Sequence, residues 1–230
     1  MSGTSNTDNV TLAYQAGWQR FCGINLLAAP GALVPRAETE LLARTTARLF
    51  EPSAGWAVRL VDMCCGSGNL ACFLGVTLPS AEIWAADLTD PCVDLTRRNV
   101  AQLDLGERVH VLQGDLFAAL HDLELEGTVD AVVCNPPYIS SGKLAGDSAP
   151  LLAQEPREAF DGGPYGISIH QRVMQQALAY LKPGGWILFE FGLGQERQIE
   201  KLFARVGGYT DFSLRFDEHG QPRVALARKG

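Results

Sequence analysis

The sequence predicts an α/β fold in which a seven-stranded, mostly parallel sheet ends in an antiparallel hairpin. Three observations carry this. From about residue 57 onward, short β-branched or apolar runs alternate with longer stretches of helical period, the pattern of βαβ units. The first of these runs ends in a GxG turn, Gly66-Ser67-Gly68. The last two runs are separated only by DEHGQP, a turn-rich stretch suited to a hairpin.

The predicted strands are 57–62, 82–87, 109–113, 129–135 and 186–191, followed by the hairpin strands 211–216 and 223–227. A helix is expected over 90–103, with Thr89 as N-cap and Pro91 in the opening turn. Upstream, Pro35 precedes a helix over about 37–50 that places Leu42, Leu49 and Phe50 on one side. The roughly 35 residues before it are too few for a second core. Residues 1–35 are therefore expected to form a short helix or hairpin covering a pocket, and 36–230 the main domain.

Composition narrows the function classes. The chain has 230 residues, 47% hydrophobic and 20% charged, which suits one core. No apolar run is long enough to cross a bilayer and the first residues, MSGTSNTDNV, are polar, so a cytoplasmic location away from membranes is expected. A net charge of −7 argues against the broad basic surface that nucleic-acid affinity requires. The six cysteines lack the paired spacing of a zinc site and are expected to be reduced and packed, with no metal bound. The four histidines are scattered and none is assigned a role.

Asp62-Met63-Cys64-Cys65-Gly66-Ser67-Gly68 ends a strand and opens a helix, and Gly66 and Gly68 let the backbone pass close to a ligand. The next strand ends in Asp87-Leu88, where a carboxylate can accept both ribose hydroxyls of a nucleoside. The third ends in Gly114-Asp115-Leu116-Phe117, an acid and an aromatic ring suited to the amino group and face of an adenine, although Asp115 can also be a simple turn residue. The third glycine of a dinucleotide fingerprint is absent, which favours a nucleoside over a pyrophosphate.

The most informative stretch is Val132-Val133-Cys134-Asn135-Pro136-Pro137-Tyr138. Two prolines fix φ after an apolar strand and stiffen the loop. The Asn135 side chain and the Pro136 carbonyl then stand at the carboxyl end of the sheet as two acceptors for the N–H bonds of a target –NH2 group. Holding a weakly nucleophilic nitrogen in line can lower a bimolecular barrier by about 7–11 kcal/mol. Tyr138 can stack on the acceptor or attract nearby cationic charge by about 0.5–2 kcal/mol. Glu155 can accept from a substrate or stand as a loop acid. Arg36 begins the first long helix beside Glu38-Thr39-Glu40, half of whose signal is capping. Glu190 either orients its neighbours or pairs with Arg36.

Taken together the residues resemble the HemK/PrmC family of protein-(glutamine N5) methyltransferases. The resemblance runs through Tyr14-Gln15-Ala16-Gly17, Phe21-Cys22-Gly23 and Leu33-Val34-Pro35-Arg36-Ala37-Glu38-Thr39-Glu40. It continues through the DMCCGSG turn, NPPY, Glu155-Pro156-Arg157-Glu158-Ala159-Phe160-Asp161-Gly162-Gly163, Gly184-Gly185-Trp186, Glu190-Phe191-Gly192 and Gly220-Gln221-Pro222-Arg223-Val224. It implies a Rossmann-like class I fold with S-adenosyl-L-methionine as cofactor, held by Asp62, Cys64, Gly66, Gly68, Asp87, Leu88, Asp115, Leu116 and Asn135. It also implies that Asn135 and Pro136 grip the target nitrogen beside Tyr138, with Leu26, Arg36, Glu155 and Tyr165 toward the acceptor.

Leu26 and Tyr165 stand where the family usually has a phenylalanine and an acid. The acceptor is expected to be a small amide or amino compound, or a glutamine of a peptide or protein reached without the family's helical docking domain. Two other outcomes fit the same residues: ring closure, in which the cofactor's own α-amino group attacks its γ-carbon to give azetidine-2-carboxylate and methylthioadenosine, and cofactor binding without catalysis.

Overall fold

The computed structural model describes residues 6–51 and 57–230. Residues 1–5 of the expected N-terminal cover lie outside them. The chain opens with α1 (Asn6–Ala16) and the antiparallel hairpin β1 (Trp18–Phe21) and β2 (Ile24–Leu27), followed by α2 (Glu40–Phe50). Then come β3 (Val58–Met63), α3 (Asn69–Thr77), β4 (Ala81–Asp87), α4 (Asp90–Gln102), β5 (Val109–Gln113), β6 (Val129–Cys134) and α5 (Ser141–Ala145). The chain closes with α6 (Ser168–Tyr180), β7 (Leu181–Glu190), α7 (Glu196–Val206), β8 (Tyr209–Phe216) and β9 (Pro222–Lys229).

The seven-stranded sheet has the order β5-β4-β3-β6-β7-β9-β8. β5, β4, β3, β6 and β7 run parallel, and β9 and β8 are antiparallel to their neighbours. Because side chains alternate across a strand, Leu60 of β3 joins a core beneath α2 and α3, while Val61 joins the opposite core beneath α6 and α7. The central strands are apolar on both faces, whereas edge strand β8 has half-exposed and exposed residues throughout.

Two boundaries differ from the sequence expectation by three residues or more. The first long helix begins at Glu40, after a turn through Ala37 and Glu38 that ends on Thr39. β7 begins at Leu181, because Leu181 pairs with Val129 before an irregularity carries the register to Trp186 opposite Ala131. The Lys182-Pro183-Gly184-Gly185 run lies in the irregular part of this strand.

The N-terminal hairpin is stitched to the main sheet layer. Phe21 and Leu26 sit in the core beneath α2 and α3, and each fully buried side chain of this kind contributes about 1.5–3 kcal/mol. Asn99 of α4 accepts from the Leu27 N–H at 2.7 Å. Among the described residues no helix is long and apolar enough to cross a membrane.

Candidate active site

The chain reverses direction across the sheet between β3 and β6: β4 and β5 lie on one side of β3, β6 and β7 on the other. Crevices outside the carboxyl ends of strands at such a switch point bind ligands in open α/β sheets. Here a cavity of about 350 Å³ opens there, inside the range of small-molecule sites.

Its floor is the turn after β3. Cys64 has φ 60°, Gly66 φ 57° and Gly68 φ 77°, so three of five consecutive residues are left-handed. At Gly68 no side chain is possible without movement, since a Cβ would stand 2.7 Å from Cγ2 of Thr96. Cys64 in that conformation is strained, as is Leu116 at φ 53°, and both line the cavity. α4 holds the turn in place: Thr96 Oγ1 donates to the Gly66 carbonyl at 3.0 Å and Asn99 Nδ2 to the Ser67 carbonyl at 2.9 Å. Asp62 braces it from below, its Oδ2 accepting from the Ala71 N–H at 2.9 Å. Burial raises the Asp62 carboxyl to about 8. Asp62 acts through the backbone and does not line the cavity.

Asp87, at the end of β4, accepts from the N–H of Gly66 at 2.8 Å and of Thr89 at 3.3 Å. The two contacts fix its carboxylate at the cavity wall beside Leu88. Asp115 and Leu116 form the next part of the wall, and Arg172 of α6 reaches Asp115 Oδ2 at 2.8 Å. Asn135 and Pro137 also line the cavity. Asn135 follows the last residue of β6, and its Nδ2 donates to Thr39 Oγ1 at 3.0 Å, leaving Oδ1 as the acceptor.

Other expected site residues are arranged differently. Pro136 is buried, and neither it nor Tyr138 lines the cavity; the tyrosine hydroxyl donates to Glu190 Oε1 at 3.1 Å. Leu26 is 0% exposed, packed in the core because β2 turns it inward, and Tyr165 is 77% exposed on the loop before α6; neither lines the cavity. Arg36 does line it. It pairs with Glu155, whose Oε1 also accepts from the Val34 N–H at 2.9 Å, so Glu155 anchors the N-terminal segment. Glu190 therefore pairs with Arg223 at 3.4 Å instead of Arg36. Leu33 and Pro35, from the segment before α2, complete the wall on that side. The sequence reading missed Thr96, Asn99 and Arg172. Thr96 and Asn99 carried a signal, being polar residues on the apolar face of α4.

The sheet order, the glycine turn and the acid closing β4 define a class I methyltransferase. Its cofactor is S-adenosyl-L-methionine. The residues present suit that group: Asp87 offers a fixed carboxylate for hydroxyls, while Met63, Leu88, Leu116 and Ile169 give apolar walls. Comparison with known proteins agrees. The family model described as the methyltransferase small domain matches residues 39–163. A release factor glutamine methyltransferase of Moorella thermoacetica is 34% identical over 94% of this chain and 74% of its own length. That of Geobacter sulfurreducens is 33% identical over 95% of this chain and 73% of its own length. A crystal structure of a methyltransferase from Pyrococcus furiosus shares the fold with a TM-score of 0.64 at 16% identity, covering 99% of this chain and all of that one. The chain belongs to the HemK/PrmC family of release factor glutamine methyltransferases.

Proposed function

We propose that the protein transfers a methyl group to the side-chain amide nitrogen of a glutamine in a protein acceptor of the release-factor class. The observation that carries this reading is the placement of Asn135, after β6, in the lining of the cavity that also holds Asp87, with its amide anchored through Nδ2 and Oδ1 left to accept. An amide nitrogen is a poor nucleophile because its lone pair is delocalised, so catalysis rests on orientation, worth about 7–11 kcal/mol in well-aligned cases.

Asn135 Oδ1 and the Pro136 carbonyl each accept one N–H of the target amide. Pro136 and Pro137 hold these two acceptors at a fixed spacing. Asp87 takes the ribose hydroxyls, the Gly66–Gly68 turn lies against the amino-acid portion, and Leu116 and Asp115 flank the base. When bound, S-adenosylmethionine supplies a methyl carbon on a sulfonium leaving group, the nitrogen–carbon bond forming as the carbon–sulfur bond breaks and one N–H proton passing to water. Arg36 and Pro35, which line the cavity, serve the acceptor. The described part of residues 1–35 acts as the cover of this site and 36–230 as the methyltransferase domain, supported by Leu33 and Pro35 in the wall.

The test is to incubate the protein with S-adenosylmethionine and a purified release factor, then map the product by tandem mass spectrometry. One methyl on a single glutamine nitrogen is expected, absent when that glutamine is replaced by glutamate. Modification of another residue type would overturn the assignment.

A further inference from the structure

Pro136 and Pro137 carry no backbone N–H, so between Asn135 and Tyr138 the chain offers no backbone donor by which a neighbour could hold it. The direction of this stretch is set at its two ends. At one end Asn135 follows β6 and donates to Thr39. At the other, the Tyr138 carbonyl accepts from Gln195 Nε2 at 2.9 Å. The same Nε2 donates to the Gly166 carbonyl at 3.3 Å, and Gln195 Oε1 accepts from the Gly192 N–H at 2.8 Å. One side chain thus joins the loop after β6, the loop before α6 and the turn after β7.

The amide of Gln195 can take only one orientation here, since its partners are one N–H and two carbonyls. The space around it is closed. A Cβ at Gly192 would stand 2.9 Å from Gln195 Oε1, and one at Gly166 would stand 2.8 Å from Nε2 and strike the Tyr138 carbonyl. Gln195 is the N-cap residue of α7, yet its side chain makes no cap hydrogen bond, and glutamine is not among the residues that cap well. The side chain therefore serves the three loops and not its own helix, and it does not line the cavity. Ile139, next along the chain, donates to the Phe160 carbonyl at 2.8 Å and accepts from the Gly162 N–H at 2.8 Å. The loop after β6 and the segment before α6 are thus held to each other as well as to Gln195.

We propose that Gln195 is a positioning residue: its NH2, shared by the Tyr138 and Gly166 carbonyls, fixes the far end of the loop that carries the Asn135 side chain and the Pro136 carbonyl. This rests on the nitrogen-gripping role of Asn135 proposed above. Without that hold the loop samples orientations in which the two acceptors do not both meet the N–H bonds of the target amide, and the advantage of alignment is lost. The cofactor contacts proposed for the turn after β3 and for Asp87 lie on other elements and are left as they are.

The test compares two variants. Gln195→Met keeps the length and removes every hydrogen bond of the amide, with Gln195→Ala in its place if it does not fold. Gln195→Glu keeps the acceptor for the Gly192 N–H and, ionised at about pH 8, removes both donated bonds. Each is expected to lower kcat toward the release factor by about ten- to a hundredfold, with the Kd for S-adenosylmethionine and the KM for the release factor within about threefold of the parent. An unchanged kcat in the methionine variant, a parental kcat in the glutamate variant, or an equal loss of cofactor affinity would overturn the proposal.

A second readout needs no acceptor. Amide hydrogen exchange followed by NMR should find the Ile139 N–H exchanging faster than in the parent in both variants, the Gly192 N–H faster in Gln195→Met alone, and Val132 of β6 unchanged in both. Ile139 protection unaffected by either variant would contradict the role. Protection lost across β6 as well would overturn it too, showing that Gln195 supports the fold at large. If glutamine is not methylated by the parent protein, the functional reading fails while this exchange measurement still decides whether Gln195 holds the loop.

Discussion

Cγ2 of Thr96 lies 2.7 Å from where a Cβ on Gly68 would stand, so the helix that holds the glycine turn also forbids a side chain within it. Gly68→Ala combines this clash with a left-handed φ of 77° and is expected to destabilise the fold by about 1–3 kcal/mol. Urea unfolding measures the loss. Adding Thr96→Ser, which removes Cγ2 and keeps the hydroxyl to the Gly66 carbonyl, should recover part of it, while the backbone strain remains. A double variant no more stable than Gly68→Ala would show that the clash is not the cause.

The carboxylate of Asp87 is oriented by two backbone N–H groups, leaving no freedom to turn toward an alternative partner. Asp87→Asn puts an amide NH2 against one of those donors and removes the charge that would receive the ribose hydroxyls. Calorimetry should find S-adenosylmethionine bound more weakly by about 1.5–3 kcal/mol, roughly ten- to a hundredfold in Kd. An unchanged Kd would remove Asp87 from the cofactor site.

Asn135→Ala is expected to behave in the opposite way. Turnover should fall below detection while the Kd for S-adenosylmethionine stays within about threefold, because the lost acceptor serves the transition state and not cofactor binding. Steady-state rates beside equilibrium binding separate the two. Equal losses in both would reassign Asn135 to the cofactor.

Two buried groups give pH dependences of opposite sign. Asp62 is raised from 3.8 to about 8 by burial, so the stability tied to its protonated form is present below 3.8 and lost as pH rises through about 8. His170, whose Nε2 lies 2.9 Å from the Glu190 carbonyl, is lowered by burial from 6.5 to about 4. Its contribution is present above 6.5 and lost as pH falls through about 4. The stability difference between the parent and Asp62→Asn should therefore shrink with rising pH, and that between the parent and His170→Gln with falling pH. Urea titrations across about pH 4–9 check both, and a flat difference for either variant would contradict its assigned shift.

Much of this architecture was legible in the residues. Strand 109–113 and the C-terminal hairpin follow from periodicity and turn chemistry, and the cavity lies where the Gly66–Gly68 turn, Asp87 and the NPPY stretch point. What could not be read was pairing across long separations. Arg36 and Glu190 are each buried ions in need of a partner, and the sequence gives no reason to match Arg36 with Glu155 and Glu190 with Arg223. Tyr138 looked like a cavity residue because its neighbours are, but the two prolines carry the chain past the wall before its hydroxyl turns to Glu190. Leu26 sits in a motif that points to the acceptor, although β2 gives it a core face.

The central claim, that this cavity moves a methyl group onto a gripped amide nitrogen, is tested most directly by the nucleoside left behind. S-adenosylmethionine is incubated with the protein alone and with a glutamine-bearing release factor, and the nucleoside products are identified by mass. S-adenosylhomocysteine formed only in the presence of the acceptor is the expected result. Methylthioadenosine formed without any acceptor, the mark of ring closure by the cofactor's own amine, would contradict it, as would intact S-adenosylmethionine bound and unconsumed in both mixtures.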